Sequence, residues 1–156
     1  MKLPEEAKVE EKLSRLMSEL RRRGYRITAQ RLTIARIVFE NIKEHPSFMQ
    51  ILEAVRRKMP SISPSTVYNN LQLLEQLGFI KSFDVAGETR YDDSLFHINV
   101  VCMDTGRIFD LENDERLGSE LAALLEEAYG AKATEIIVYA YCGSRAKSGG
   151  EGSGPG

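Results

Sequence analysis

Apolar residues recur at helical spacing through the first half of the chain and switch to strand-like alternation in the second. From Pro4 to about Arg23 the chain is rich in Glu, Lys, Arg and Leu, with Leu13, Leu16, Met17 and Leu20 on one side and Gly24 as the stop. Thr28 is placed to N-cap a second helix carrying Leu32, Ala35, Val38, Phe39 and Ile42. After His45-Pro46, Ser47 caps a third helix with Ile51, Leu52 and Val55, ending before Pro60. Ser63, followed by Pro64 at the first helical position, opens a fourth. Its apolar stripe is Val67, Leu71 and Leu74; Ser65, Asn69, Gln72 and Gln76 fall opposite, with Tyr68 at the flank and Glu75 at the margin.

Phe79–Val85 and Glu88–Asp92 flank Ala86-Gly87 and predict a β-hairpin. Helices followed directly by a hairpin make a winged helix-turn-helix, with the fourth helix placed for the major groove. Its amide, hydroxyl and phenol groups suit base edges and phosphates; the competing reading is an ordinary amphipathic helix. Beyond the hairpin, His97–Met103 predicts a strand, Thr105-Gly106 a turn, Arg107–Leu111 a partner strand, Asp114 to Tyr129 a helix, and Thr134–Cys142 a β-branched final strand. So small a unit leaves an apolar edge or helix face uncovered unless it dimerises. The fold class expected is α+β: a winged-helix domain over 1–86, a hinge over 87–96, a small α/β dimerisation and metal-sensing domain over 97–142, and a disordered Gly/Ser/Pro tail over 143–156.

Charge sharpens this division. The net charge of −2 hides a division: 14 Lys+Arg against 7 Asp+Glu from Lys12 to Arg90, a net +7, and 5 against 12 from Tyr91 to Gly156, a net −7, with the remaining −2 in residues 1–11. A basic half suits a polyanion, and an acidic half suits cations or a partner chain. With two cysteines a disulfide scaffold is not expected, and with no apolar signal core at Met1–Glu6 and no long apolar run the expectation is a cytoplasmic protein with no membrane partner. An enzyme built on Cys102 or His97 lacks a nucleophile elbow, a phosphate loop and a third group to orient the pair.

The stretch Tyr91–Asp110 concentrates candidate ligands: Asp92, Asp93, His97, Cys102, Asp104 and Asp110. Here the chain is similar to the ferric uptake regulator (Fur) family. The likeness runs from about Leu16 to Cys142. It is carried by Thr28-Ala29-Gln30-Arg31, His45-Pro46-Ser47, Ser65-Thr66-Val67-Tyr68-Asn69-Asn70-Leu71, Gly78-Phe79-Ile80, Thr89-Arg90-Tyr91-Asp92 and Cys102-x-x-x-Gly106-Arg107-Ile108-Phe109-Asp110. The resemblance implies a homodimeric repressor in which metal near the hinge licenses binding to palindromic double-stranded DNA.

Carried onto this chain, the family's regulatory site uses His45, Asp92, His97, position 99 and Asp110. Asn99 stands where the family usually has histidine, and its oxygen can be a weak fifth ligand. Nitrogen and oxygen donors suit Fe²⁺ or Mn²⁺, with Zn²⁺ as a substitute. The chain's two histidines both fall on ligand positions, although lone histidines are often structural. The aspartates with both histidines look most like the peroxide-sensing (PerR) branch, in which the coordinating histidines are oxidised. The family's two C-x-x-C pairs have each lost a cysteine, so no structural zinc is expected.

By the same resemblance Cys102 and Cys142 lie close. They form either a reversible redox pair or two buried thiols, and thiols are the state expected in a reducing cytosol. Tyr68 and Asn69 are the base-contact candidates. Asn69 replaces a common arginine and leans the operator towards A·T. Ser65 and Thr66 suit phosphates, as does the Arg21–Arg23 run, Arg23 above all, with Arg26 beside it. The alternative to a metal sensor is a metal-independent, Fur-like DNA- or partner-binding regulator with a degenerate site.

Overall fold

The structure, a computed structural model, describes residues 4–95, 97–111 and 115–143. The expected tail beyond Gly143 and the expected helix start at Asp114 lie outside these residues. The chain divides into two compact units between Ser94 and Leu95.

The first unit holds four helices and a hairpin: α1 (Glu5–Arg22), α2 (Ala29–Asn41), a 3₁₀ turn (Ile42–Glu44), α3 (Phe48–Lys58), α4 (Pro64–Gln76), β1 (Ile80–Val85) and β2 (Glu88–Asp93). Its helix starts follow the capping chemistry in the sequence. Thr28 accepts from the Arg31 amide, and Ser63 accepts from the Thr66 amide with Pro64 behind it. Ser47 and Gln50 form a reciprocal capping box at α3.

Helix α1 buries Val9, Leu13, Leu16 and Leu20 on one stripe. Helix α2 is less one-sided than the expected stripe, burying Ile34 and Ile37 as well as Ala35, Val38 and Phe39. The reason is its central place, in contact with α1, α3 and α4. Strands β1 and β2 pair antiparallel across Ala86-Gly87, both at positive φ (51° and 81°), the backbone that a two-residue hairpin turn demands.

The second unit is a three-stranded mixed sheet with β3 (Ile98–Cys102) in the centre, β4 (Ile108–Asp110) antiparallel to it, and β5 (Ile136–Ala140) parallel to it. The parallel pairing needs a long crossover, and α5 (Glu115–Tyr129) lies within it. β3 is buried along its length. In contrast, Leu117 and Leu124 of α5, Val138 and Tyr139 of β5, and Tyr141 just beyond it are exposed.

Cys102, wholly buried at the end of β3, is joined by a disulfide to Cys142, past the end of β5. This corrects the expectation of two buried thiols. Parallel pairing brings Cys102 opposite Ala140, so the chain passes Cys142 within reach, with the two Cα atoms 5.4 Å apart. The same corner has a second fastening: the Asp104 carboxylate accepts from the Cys142 amide at 3.0 Å and the Gly143 amide at 2.7 Å. Those two amides hold the Asp104 carboxyl below the usual carboxylate range. A lowered pKa means that the interaction contributes at neutral pH and fades as the pH falls into the acid range.

Leu16, fully buried, should lose about 2–5 kcal/mol of stability on replacement by alanine, measured by urea unfolding; a change below about 1 kcal/mol would mean that α1 is not part of the folded core. Reducing Cys102–Cys142 should remove up to about 4 kcal/mol, on the loop-length estimate for a bond spanning 40 residues. Cys142→Ser should show the lowered thermal midpoint without reductant and no further response to it. An unchanged midpoint in reduced wild-type protein would exclude a stabilising bond.

Candidate metal centre and nucleic-acid face

Two His–Asp pairs carry the candidate chemistry, one in each unit. In the first, His45 follows the 3₁₀ turn, and Asp92 is the fifth residue of β2. Both are buried, with 1% of each residue exposed, and His45 Nε2 lies 3.5 Å from Asp92 Oδ1. Asp92 Oδ1 also accepts from the Asp93 amide at 2.7 Å, which fixes the carboxylate's orientation. The His45 ring meets Phe83 of β1 edge-on. His45 itself sits in the left-handed region at φ 49°, ψ 58°, where a non-glycine side chain crowds its own backbone.

In the second unit His97 stands just before β3, and Asp110 ends β4. The register sets Asn99 opposite Asp110. His97, two residues before Asn99, therefore shares that sheet face and reaches Asp110 on the diagonal, Nε2 to Oδ1 at 3.4 Å. His97 Nδ1 lies 2.7 Å from the Leu95 carbonyl oxygen. A carbonyl can only accept, so this bond places the proton on Nδ1 and, in the neutral ring, turns the Nε2 lone pair towards a carboxylate. Two electron-rich atoms facing each other need a cation between them, a proton or a metal ion. Asn99 is wholly buried.

Each of His45, Asp92, His97 and Asp110 offers one nitrogen or oxygen ligand atom to a metal. This donor set fits a borderline or hard divalent ion better than one that prefers thiolates. Two other candidates from the same stretch are engaged elsewhere. Asp93 forms an ion pair with Lys12 at 2.5 Å, and Asp104 holds the end of β5. Cys102 and Cys142 are bonded to each other.

On α4, Ser65, Tyr68, Asn69, Gln72 and Gln76 are exposed, and Thr66 is half-buried. Tyr68, 47% exposed, packs edge-on against Phe48, and its hydroxyl oxygen accepts from Gln72 Nε2 at 3.3 Å. Its ring is thus braced while its tip stays accessible. Thr66 shares a 2.8 Å hydroxyl contact with Ser63. Arg23, expected as a phosphate contact, forms an ion pair with Glu19 at 2.7 Å. Sequence reasoning gave no role to Arg90, whose guanidinium Nη1 donates to the His45 carbonyl at 3.1 Å. Arg90 stood only as a letter in a motif, and a side chain that grips a backbone carbonyl leaves no periodic signal.

The family model described as "Ferric uptake regulator family" matches residues 22–141. Among characterised relatives, the ferric uptake regulation protein of Bacillus subtilis is 31% identical over 112 residues, covering 68% of this chain and 75% of that one. The peroxide-responsive repressor PerR of Staphylococcus epidermidis is 32% identical over 104 residues, covering 65% and 69%. Among solved structures, the Campylobacter jejuni peroxide stress regulator is 28% identical with a TM-score of 0.65, covering 86% of this chain and 98% of that one. The Helicobacter pylori ferric uptake regulator, reported with three functional metal-binding sites, has the same fold at 21% identity and a TM-score of 0.72, covering 90% and 95%.

With a family match over most of its length, an α+β winged-helix fold and His and Asp donors that can hold a metal, the chain belongs to the ferric uptake regulator family, whose members are transcriptional regulators and not enzymes.

Proposed function

We propose that this protein is a homodimeric, metal-dependent transcriptional repressor acting in the cytoplasm. The reading treats 1–86 as the DNA-binding part and 97–142 as the dimerisation and sensing part. His45, Asp92, His97 and Asp110, with Asn99 as a weaker ligand, hold one Fe²⁺ or Mn²⁺, and Zn²⁺ can substitute. The observation that carries it is the setting of His97: its Nδ1 lies against the Leu95 carbonyl oxygen, which can only accept, and its Nε2 faces Asp110, an arrangement that a divalent cation satisfies. The buried His45–Asp92 pair supports the same reading, because a carboxylate so deeply buried calls for a positive partner.

The ion supplies positive charge, and with iron a centre that reacts with peroxide. Iron or manganese status and peroxide are therefore the signals this ligand set can serve, and relatives of both kinds share about a third of their residues with this chain over the aligned region. The bound ion favours the DNA-binding arrangement only by the difference in its affinity between states. Tyr68 and Asn69 read bases in a palindromic, A·T-leaning operator, while Ser65, Thr66 and Arg23 contact backbone phosphates. The exposed apolar residues Leu117, Leu124, Val138 and Tyr139, with β5 at the sheet edge, support self-association of the second unit.

Protein stripped of metal and reloaded with Mn²⁺ should hold about one ion per chain by elemental analysis. It should lose operator binding in chelator, and His45→Ala should mimic that loss. Operator binding indifferent to both would favour the metal-independent reading. Tyr68→Ala should cost about 1–3 kcal/mol in binding to the specific site and little on unrelated DNA, measured at fixed salt. Equal losses on both would remove Tyr68 from base reading.

A further inference from the structure

We infer that Arg90 is a positioning residue for the metal ligand His45, and that it sets metal affinity through that ligand. The inference rests on the metal reading above. His45 lies in a left-handed conformation that other contacts must maintain, since a non-glycine residue there is strained. Those contacts come from β2. Arg90 Nη1 donates to the His45 carbonyl at 3.1 Å, the Tyr91 amide donates to the Pro46 carbonyl at 2.9 Å, and Ser47 forms an antiparallel bridge with Arg90.

Three successive residues, His45, Pro46 and Ser47, are thus stapled to two residues of one strand. Arg90 Nη1 also lies 3.4 Å from Gln50 Oε1, the oxygen that accepts from the Ser47 amide in the α3 capping box. The guanidinium therefore ties the His45 carbonyl to the start of α3. Strand alternation adds the decisive element. Asp92 is two residues beyond Arg90 and so shares its face of β2. One strand face supplies both a carboxylate beside the His45 ring and the clamp on the His45 backbone.

Without that clamp, His45 can relax towards an ordinary backbone conformation, and a change of this kind at Cα swings the imidazole away from Asp92. A lysine at position 90 keeps the charge but presents it on a flexible stem in place of the flat, pre-organised guanidinium. The grip on His45 is therefore only partly replaced.

The test is a double-mutant cycle read by Mn²⁺ titration, with free ion followed by electron paramagnetic resonance and folding checked by circular dichroism. Arg90→Ala should weaken Mn²⁺ binding about tenfold, and Arg90→Lys about threefold. In a His45→Ala background, Arg90→Ala should change the affinity by less than about twofold, because its effect passes through the missing ligand. An equal tenfold loss in both backgrounds would overturn the inference while leaving the metal site standing, as would wild-type affinity in either folded Arg90 variant. If Arg90→Ala does not fold, the same cycle with Arg90→Lys decides between these outcomes. A wild-type chain that binds no Mn²⁺ would overturn the metal reading itself, and this inference with it.

Discussion

The burial of Asp92 against His45 is the constraint around which the first unit's loop and hairpin are arranged. A carboxylate with 1% of its residue exposed would cost several kcal/mol if left uncompensated. The Asp93 amide donates to its Oδ1, and the imidazole lies 3.5 Å away. His45 there takes a left-handed backbone, and the hairpin pairs with residues 45–47 as well as with itself. Under the proposed metal reading, the wing is therefore also the support of a ligand. That dual use explains why β2 continues to Asp93, where Lys12 of α1 fastens its end.

The second unit answers a different constraint, that of size. A three-stranded sheet with one helix in its crossover buries little beyond β3, so cross-links and polar clamps carry a larger share of its order. Cys102–Cys142 and the Asp104 carboxylate fasten the two ends of the parallel pair β3–β5, where there is no tight turn to do so. The same shortage of core leaves Leu117, Leu124, Val138 and Tyr139 uncovered. The charge of the chain follows this division, with the basic excess before Tyr91 and the acidic excess after it.

Local chemistry was legible wherever a residue acts on its own backbone or one helical turn away. Thr28, Ser47 and Ser63-Pro64 start helices as their side chains dictate, and Ala86-Gly87 turns the hairpin because both residues take positive φ. The winged-helix order followed from these alone. What stayed hidden depends on long-range pairing. The parallel register of β3 and β5, which brings two cysteines 40 residues apart within bonding distance, has no period in the sequence. The left-handed His45 was equally hidden, since histidine, though enriched at positive φ, adopts it too rarely to signal it. Asp104, read as a ligand candidate from composition, turned out to be a clamp on backbone amides.

The basic face also differs from what a count of charges suggests. Arg22 and Arg23 pair with Glu19, Arg36 pairs with Glu10, and Arg31 Nε reaches Asn70 Oδ1 on α4. Exposed pairs of this kind contribute little to stability, so they open at little cost when a stronger anion arrives. In the DNA-binding reading proposed above, a phosphate meeting Arg23 would displace Glu19 and release counterions, a gain that weakens as salt rises. In that reading, discrimination between sequences falls to the uncharged groups of α4, above all Tyr68 on its Phe48 brace and the exposed Asn69, whose contacts would depend little on salt. Under that proposal affinity and selectivity would reside in different residues of the same unit, and a change in one need not disturb the other.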